Sequence, residues 1–229
     1  MTTFQRARSE DQRGIRRQEI LDTAASMLGE MPVAAISLNE LSRRVGLAKS
    51  NVLRYFESRE AILLELFIRA WNEWLAALPP LLTAGVPPRG TIRQRGDQVA
   101  HVLAQSLGER QVFCDLFSSH ASVLEHNISG EVAARYKHAA LANVDALAQL
   151  LSKPLPELGD QAWQVSAQVG FALSAIWVHS RPSAGVLAAA EVDPSLAEYR
   201  IDFEAALEGM VATIVSGTIA RMDGTRAAR

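Results

Sequence analysis

Five residues between Lys49 and Tyr55 carry groups suited to contact with a nucleic acid: Lys49, Ser50, Asn51, Arg54 and Tyr55. The two cations can neutralise phosphates, and the two hydroxyls can donate to phosphate oxygens. The Asn51 amide offers a donor and an acceptor side by side, the pattern that reads a base edge. This is recognition chemistry, with no bond made or broken. The sequence contains no Gly-rich phosphate loop, no His-Glu-x-x-His and no Gly-x-Ser-x-Gly. Its five histidines (His101, His120, His126, His138, His179) show no i, i+4 pairing, and Cys114, His120 and His126 lie six apart, on different faces of a helix. No catalytic residue, metal ligand or cofactor site is therefore assigned.

The elements that must position these groups lie between Ile36 and Phe56. Ser37 and Glu40 form a Ser-x-x-Glu pattern, a capping box at a helix start. Leu38, Leu41 and Val45 follow at helical spacing. Gly46 stands where a helix needs a residue tolerant of positive φ. A second short helix fits Lys49 to Phe56, with Val52 and Phe56 turned inward. Two short helices joined by a tight glycine turn predict a helix-turn-helix, whose second helix lies in the DNA major groove.

Residues 16–68 resemble the N-terminal domain of TetR-type transcriptional regulators. The resemblance rests on Ile20-Leu21 and Ala24-Ala25 in the first helix, Ser37 opening the second, the Val45-Gly46-Leu47 turn, the aromatic pair Tyr55-Phe56, and Ser58-Arg59-Glu60 at the head of a long fourth helix. It implies that Ser37 contacts a phosphate, that Asn39 faces the groove, and that Lys49, Ser50, Asn51 and Arg54 read bases and clamp the backbone. Tyr55 stands at a phosphate-side position, and Arg59 where the family usually has Lys. Ala48 replaces the usual Ser or Thr cap, a loss of about 1 kcal/mol if uncompensated. Leu53 replaces a common Tyr and cannot hydrogen-bond.

The rest of the chain reads as helices only. A first helix from about Arg13 buries Ile20, Ala24 and Leu28 and closes at Gly29 and Pro32. A helix from 59 should stop at Leu78, because Pro79 and Pro80 follow. Thr91 caps the next, to Leu107; a shorter segment carries Phe113 and Phe117; further helices fit 129–150, 160–179 with Asp160 as cap, and 197 or later to 222. Residues 183–195 read as a loop with one helical turn. The prediction is an all-α fold of about nine helices: a DNA-binding domain over 1–57 with a flexible arm at 1–12, a ligand-binding and dimerisation domain over 58–222, and a disordered tail at 223–229.

Residues 1–60 hold ten Lys/Arg against eight Asp/Glu, and residues 61–229 thirteen against seventeen, so the basic end is the N-terminal one. Arg6, Arg8 and Arg13 could reach phosphates. A single cysteine permits no intrachain disulfide and fits a cytoplasmic protein. The most apolar stretch, 169–178, is half a membrane span long, so no membrane partner is expected.

In the second domain, Trp71, Trp74, Phe113 and Phe117 could be core or the wall of an effector pocket. Asn143 falls on an apolar helix face and would supply its polar anchor. Small residues at spacings of three and four (Ser166, Gly170, Ser174; Ala205, Gly209, Ala212, Ser216) suit close helix approach, within the subunit or across a homodimer interface; the resemblance implies the latter. The expected protein is a ligand-responsive repressor, released from a palindromic double-stranded operator by a small apolar or aromatic effector. The alternatives are a constitutive DNA-binding protein of the same fold, and an all-α enzyme.

Overall fold

A computed structural model describes the backbone of residues 2–227 and the side chains of residues 12–222. Among the described residues the chain forms helices and no strand. Ten are α-helices: α1 (Thr2–Glu30), α2 (Leu38–Val45), α3 (Lys49–Val52), α4 (Arg59–Gly85), α5 (Ile92–Gly108), α6 (Gln111–Ser119), α7 (Gly130–Ser152), α8 (Ala162–His179), α9 (Ala184–Val192) and α10 (Phe203–Ala227). A π-helical turn spans His120–Leu124, and 3-10 turns span Val33–Ala35, Pro156–Gln161 and Pro194–Tyr199. The chain divides into two units, Met1–Arg69 with Ser119–His138, and Ala70–Ser118 with Ala139–Arg229.

The first unit is built on the buried stripe Ile20, Leu21, Ala24 and Met27 of α1, with Leu41, Val52 and Phe56 buried beside it. Gly46 ends α2 at φ 72°, and Leu47 N–H donates to Ser42 O at 3.0 Å. That is the left-handed helix stop expected of the sequence, and only glycine enters it without strain. α1 is helical from Thr2, through the residues read as an arm; the side chains of Arg6 and Arg8 lie outside the described residues. Likewise α10 continues to Ala227, through most of the expected tail.

The segment 119–138 joins this unit rather than the second one. His120 stacks on Phe67 with ring centroids 5.3 Å apart, and Tyr136 lies 6.1 Å from Phe67. Burial pushes the Tyr136 phenol up, and nearby Glu125 adds to the shift. The Glu57 carboxylate accepts from the Ser129 backbone N–H at 2.6 Å, at the entry to α7.

In the second unit α4 does not stop at Leu78. Both prolines are exposed and sit inside the helix, while Leu78, Leu82 and Val86 are buried. A proline in a helix interior costs about 3 kcal/mol. Burying Leu82 and Val86 beyond the two prolines returns roughly 1.5–3 kcal/mol each and offsets much of that cost. α5 opens on the Thr91–Gln94 capping box. Asp160, expected to cap α8, lies inside the 3-10 turn, and α8 starts at Ala162 with no side-chain cap. α10 is long and apolar enough over Phe203–Met222 to cross a membrane by composition. Its buried side, Leu207, Val211, Val215 and Ile219, packs on α5 and α8.

Candidate nucleic-acid interface

Ser37 caps α2: its hydroxyl accepts from Glu40 N–H at 3.2 Å. The reciprocal half of the expected capping box is absent. The Glu40 carboxylate instead receives Arg43 at 2.6 and 2.8 Å and Arg44 at 2.9 Å. The Arg43 hydrogen bonds first, then those of Arg44, hold the Glu40 carboxyl at about 2, far below its ordinary range. Arg44 also pairs with Glu30 at 2.7 Å. This charge cluster stiffens the helix that precedes the recognition turn.

α3 is only four residues long, with Ala48 at its N-cap and no side-chain cap bond, so the cap missing from the sequence is not replaced by a side-chain bond. Leu53 to Tyr55 continue it as a turn, with Arg54 N–H donating to Asn51 O and Tyr55 N–H to Val52 O. Val52 and Phe56 are buried and fix the inner side. Arg17 holds that inner side down: its guanidinium lies 4.5 Å from the Phe56 ring centroid and pairs with Glu65. The outer side presents Lys49, Ser50, Asn51, Leu53 and Arg54, all exposed, with Asn39 exposed on α2. Among the described residues the side chains of Asn39, Lys49, Ser50, Asn51 and Arg54 make no hydrogen bond or ion pair. They are free donors and acceptors, exposed on α2 and α3. Arg13, on α1, donates to Arg54 O at 3.5 Å, which brings a further cation to the recognition turn.

Two site residues differ from expectation. Arg59 is not a free phosphate clamp: it donates to Ile36 O at 2.9 Å and pairs with Glu60 at 2.9 Å, tying the head of α4 to the residue before the α2 cap. Tyr55 is half-buried rather than outward. Leu53, which cannot hydrogen-bond, is also exposed. Its exposed side chain on the same face suits contact with a thymine methyl group.

The second unit gathers the four expected aromatics. Trp71 meets Phe117 edge-on at 5.1 Å, Phe113 lies 5.6 Å from Trp74 and 5.7 Å from Phe117, and Trp74 Nε1 donates to Ser106 Oγ at 3.1 Å. Asn143 is buried, and its Nδ2 has no hydrogen-bond partner. Cys114 is buried nearby in sequence; burial pushes its thiol up to about 12, so it is inert.

The two small-residue stripes separate. Ser166 is buried and bonds Ala162 O, and a Cβ on Gly170 would lie 2.9 Å from Phe117 Cζ. Both make contacts within the subunit. Ser174 and Ala212 are half-buried; Ala205, Gly209 and Ser216 are exposed, and a Cβ on Gly209 meets nothing within 4 Å. Between α8 and α10 runs an open trough of ≈ 1020 Å³, walled by Gln164, Gln168, Phe171, Met210 and Ile214.

The fold and this surface define a class: an all-helical regulator with a helix-turn-helix unit at its N-terminal end. Residues 20–66 match the family described as bacterial regulatory proteins, tetR family, and residues 68–222 match the tetracyclin repressor-like C-terminal domain. The chain belongs to the TetR family. Its members are transcription regulators and not enzymes. Over 62 residues the chain is 39% identical to the HTH-type transcriptional regulator EthR of Mycobacterium tuberculosis, a match covering 27% of this chain and 29% of that protein. The matched stretch is thus under a third of the length of those curated relatives. Among solved structures, a TetR transcriptional regulator from Rhodococcus sp. RHA1 aligns at TM-score 0.52 and 14% identity, covering 91% of this chain and 97% of that one. FadR from Bacillus subtilis, solved in complex with stearoyl-CoA, aligns at TM-score 0.52 and 12% identity, covering 87% and 98%. These two likenesses concern the fold.

Proposed function

We propose that the protein is a ligand-responsive repressor that binds a palindromic operator as a homodimer in the cytoplasm and is released by a small apolar or aromatic effector. The observation that carries the DNA reading is the set of free polar side chains on α2 and α3, Asn39, Lys49, Ser50, Asn51 and Arg54, which stand exposed on an otherwise packed motif. Residues 1–57 supply this surface, and 58–222 the effector and dimer functions. The dimer uses the exposed sides of α8 and α10, where Phe171 is 74% and Met210 47% exposed. Exposed apolar residues on two long adjacent helices suit an isologous four-helix interface.

The effector site is the aromatic group of α4 and α6 together with Asn143. The TetR fold holds a long-chain ligand in the FadR of Bacillus subtilis. α4 and α7 each continue through both units of the chain. A ligand that prefers one conformation of these helices shifts the DNA-binding population, by no more than its difference in affinity for the two states.

Selection of genomic DNA fragments on the purified protein tests this reading. The expected result is enrichment of one palindrome, with half-sites about one helical turn apart. Retention of fragments without a shared sequence overturns it.

A further inference from the structure

Between α8 and α10 the chain leaves its core and returns as an arm. Of residues 183–201 only Ala190 is not exposed. The arm is not a polar loop: α9 reads AGVLAAAEV, with one charged residue, and it packs on the 3-10 turn Pro194–Tyr199. Val186, Leu187, Val192, Leu196, Tyr199 and Ile201 all face solvent, Val192 at 88% and Tyr199 at 81%. A nine-residue helix with no buried residue is below the length that stands alone in water, about 12–15 residues. Something must cover it.

Both roots of the arm are fixed at the end of the α8–α10 face. Trp177 and Phe203 meet edge to face at 4.8 Å, the Arg181 guanidinium lies 3.9 Å from the Trp177 ring centroid, and Trp177 Nε1 donates to Asp115 at 2.6 Å. The arm's apolar side is therefore continuous in the chain with the exposed apolar residues Trp163, Phe171, Val178 and Met210 of that face.

We propose that the arm Ser183–Ile201 docks on a second copy of this chain and extends the dimer interface beyond the four-helix contact. Areas favour this occupant. At roughly 200 Å² for a fully exposed large side chain, the four residues on α8 and α10 offer about 450 Å² and the six on the arm about 700 Å². Obligate homodimers bury roughly 1,000–2,500 Å² per partner, about 65% of it apolar. The four-helix face alone reaches only the apolar share of a standard interface, roughly 800 Å² per partner; with the arm it reaches the obligate range. The inference rests on the dimer reading above and adds the element that makes the dimer tight.

The test uses the full chain. Val186, Leu187, Val192, Leu196 and Tyr199 are replaced together by Ser, and the dimer dissociation constant is measured by sedimentation across dilution. A second variant, Val192→Glu, places one charge at an open position where folding cannot suffer. The expected result is at least a tenfold weaker dimer for the fivefold variant, a smaller shift in the same direction for Val192→Glu, and amide exchange in 184–192 that slows in the wild type as it dimerises. A wild type that is monomeric at micromolar concentration overturns the dimer reading itself. A dimeric wild type whose constant neither variant changes overturns the arm alone. Binding of the wild type, but not the variant, to anionic phospholipid vesicles with the dimer constant unchanged assigns the arm to a membrane surface, and also overturns it.

Discussion

Replacing Lys49 and Arg54 together by alanine is expected to lower operator affinity roughly a hundredfold or more at physiological salt. Each cation sits exposed and unpaired in the free protein, so its removal breaks nothing internal. Each phosphate contact contributes a slope of about −0.9 in log K against log salt, so the double variant should lose about 1.8 from that slope if both bind phosphates. A residue that instead pairs with a guanine edge would cost ~1–3 kcal/mol at one base position and leave the slope nearly unchanged. Fluorescence anisotropy over a salt series separates the two cases, and the melting temperature should not move. Arg59→Ala is the instructive contrast. It removes a bond to Ile36 O and the pairing with Glu60, so it should lower stability and affinity together. Equal affinity for wild type and the Lys49, Arg54 double variant would take both residues out of the interface.

The second large effect concerns Asn143. Its buried Nδ2 lacks a partner, and an unsatisfied buried donor costs about 1–3 kcal/mol. Leucine has similar bulk and no donor, so Asn143→Leu should raise the melting temperature of the unliganded protein. If that donor is kept for the effector, the same substitution should abolish release from DNA while DNA affinity is retained. Stability rising as response disappears is a signature that simple core damage does not produce. Thermal shift across an apolar and aromatic compound collection identifies the effector first, since a ligand bound only by the folded state raises the melting temperature. A variant that is less stable, or that still responds fully, removes Asn143 from the site.

What was legible in the sequence was what local chemistry decides. The Gly46 stop, the inward pair Val52 and Phe56, and the Ser37 and Thr91 caps each depend on residues within one or two turns, and each stands where the sequence places it. Most of what was not legible depends on contacts made across the chain. Pro79 and Pro80 announce a helix end, but the buried residues around them override that local signal. Nothing near Arg59 in sequence reveals its bond to the Ile36 carbonyl 23 residues away. Gly170 abuts Phe117, 53 positions distant, a neighbour its local spacing does not reveal. Glu40 chose Arg43 and Arg44 over the backbone donor of Ser37, an outcome that Ser-x-x-Glu spacing alone does not foretell. α9 was hidden by composition: alanine and glycine between prolines give no regular apolar stripe. The attachment of 119–138 to the DNA-binding unit rests on Phe67, His120 and Tyr136, which meet across 69 positions at the widest.

The central claim is that the exposed residues of α3 read base sequence, and Asn51 tests it most directly. DNA selection is run in parallel on the wild type and on Asn51→Ala, and the preference at every position is compared. The account predicts the same palindrome for both proteins, with discrimination lost by ~1–3 kcal/mol at one symmetry-related position in each half-site. Identical profiles at every position would contradict it.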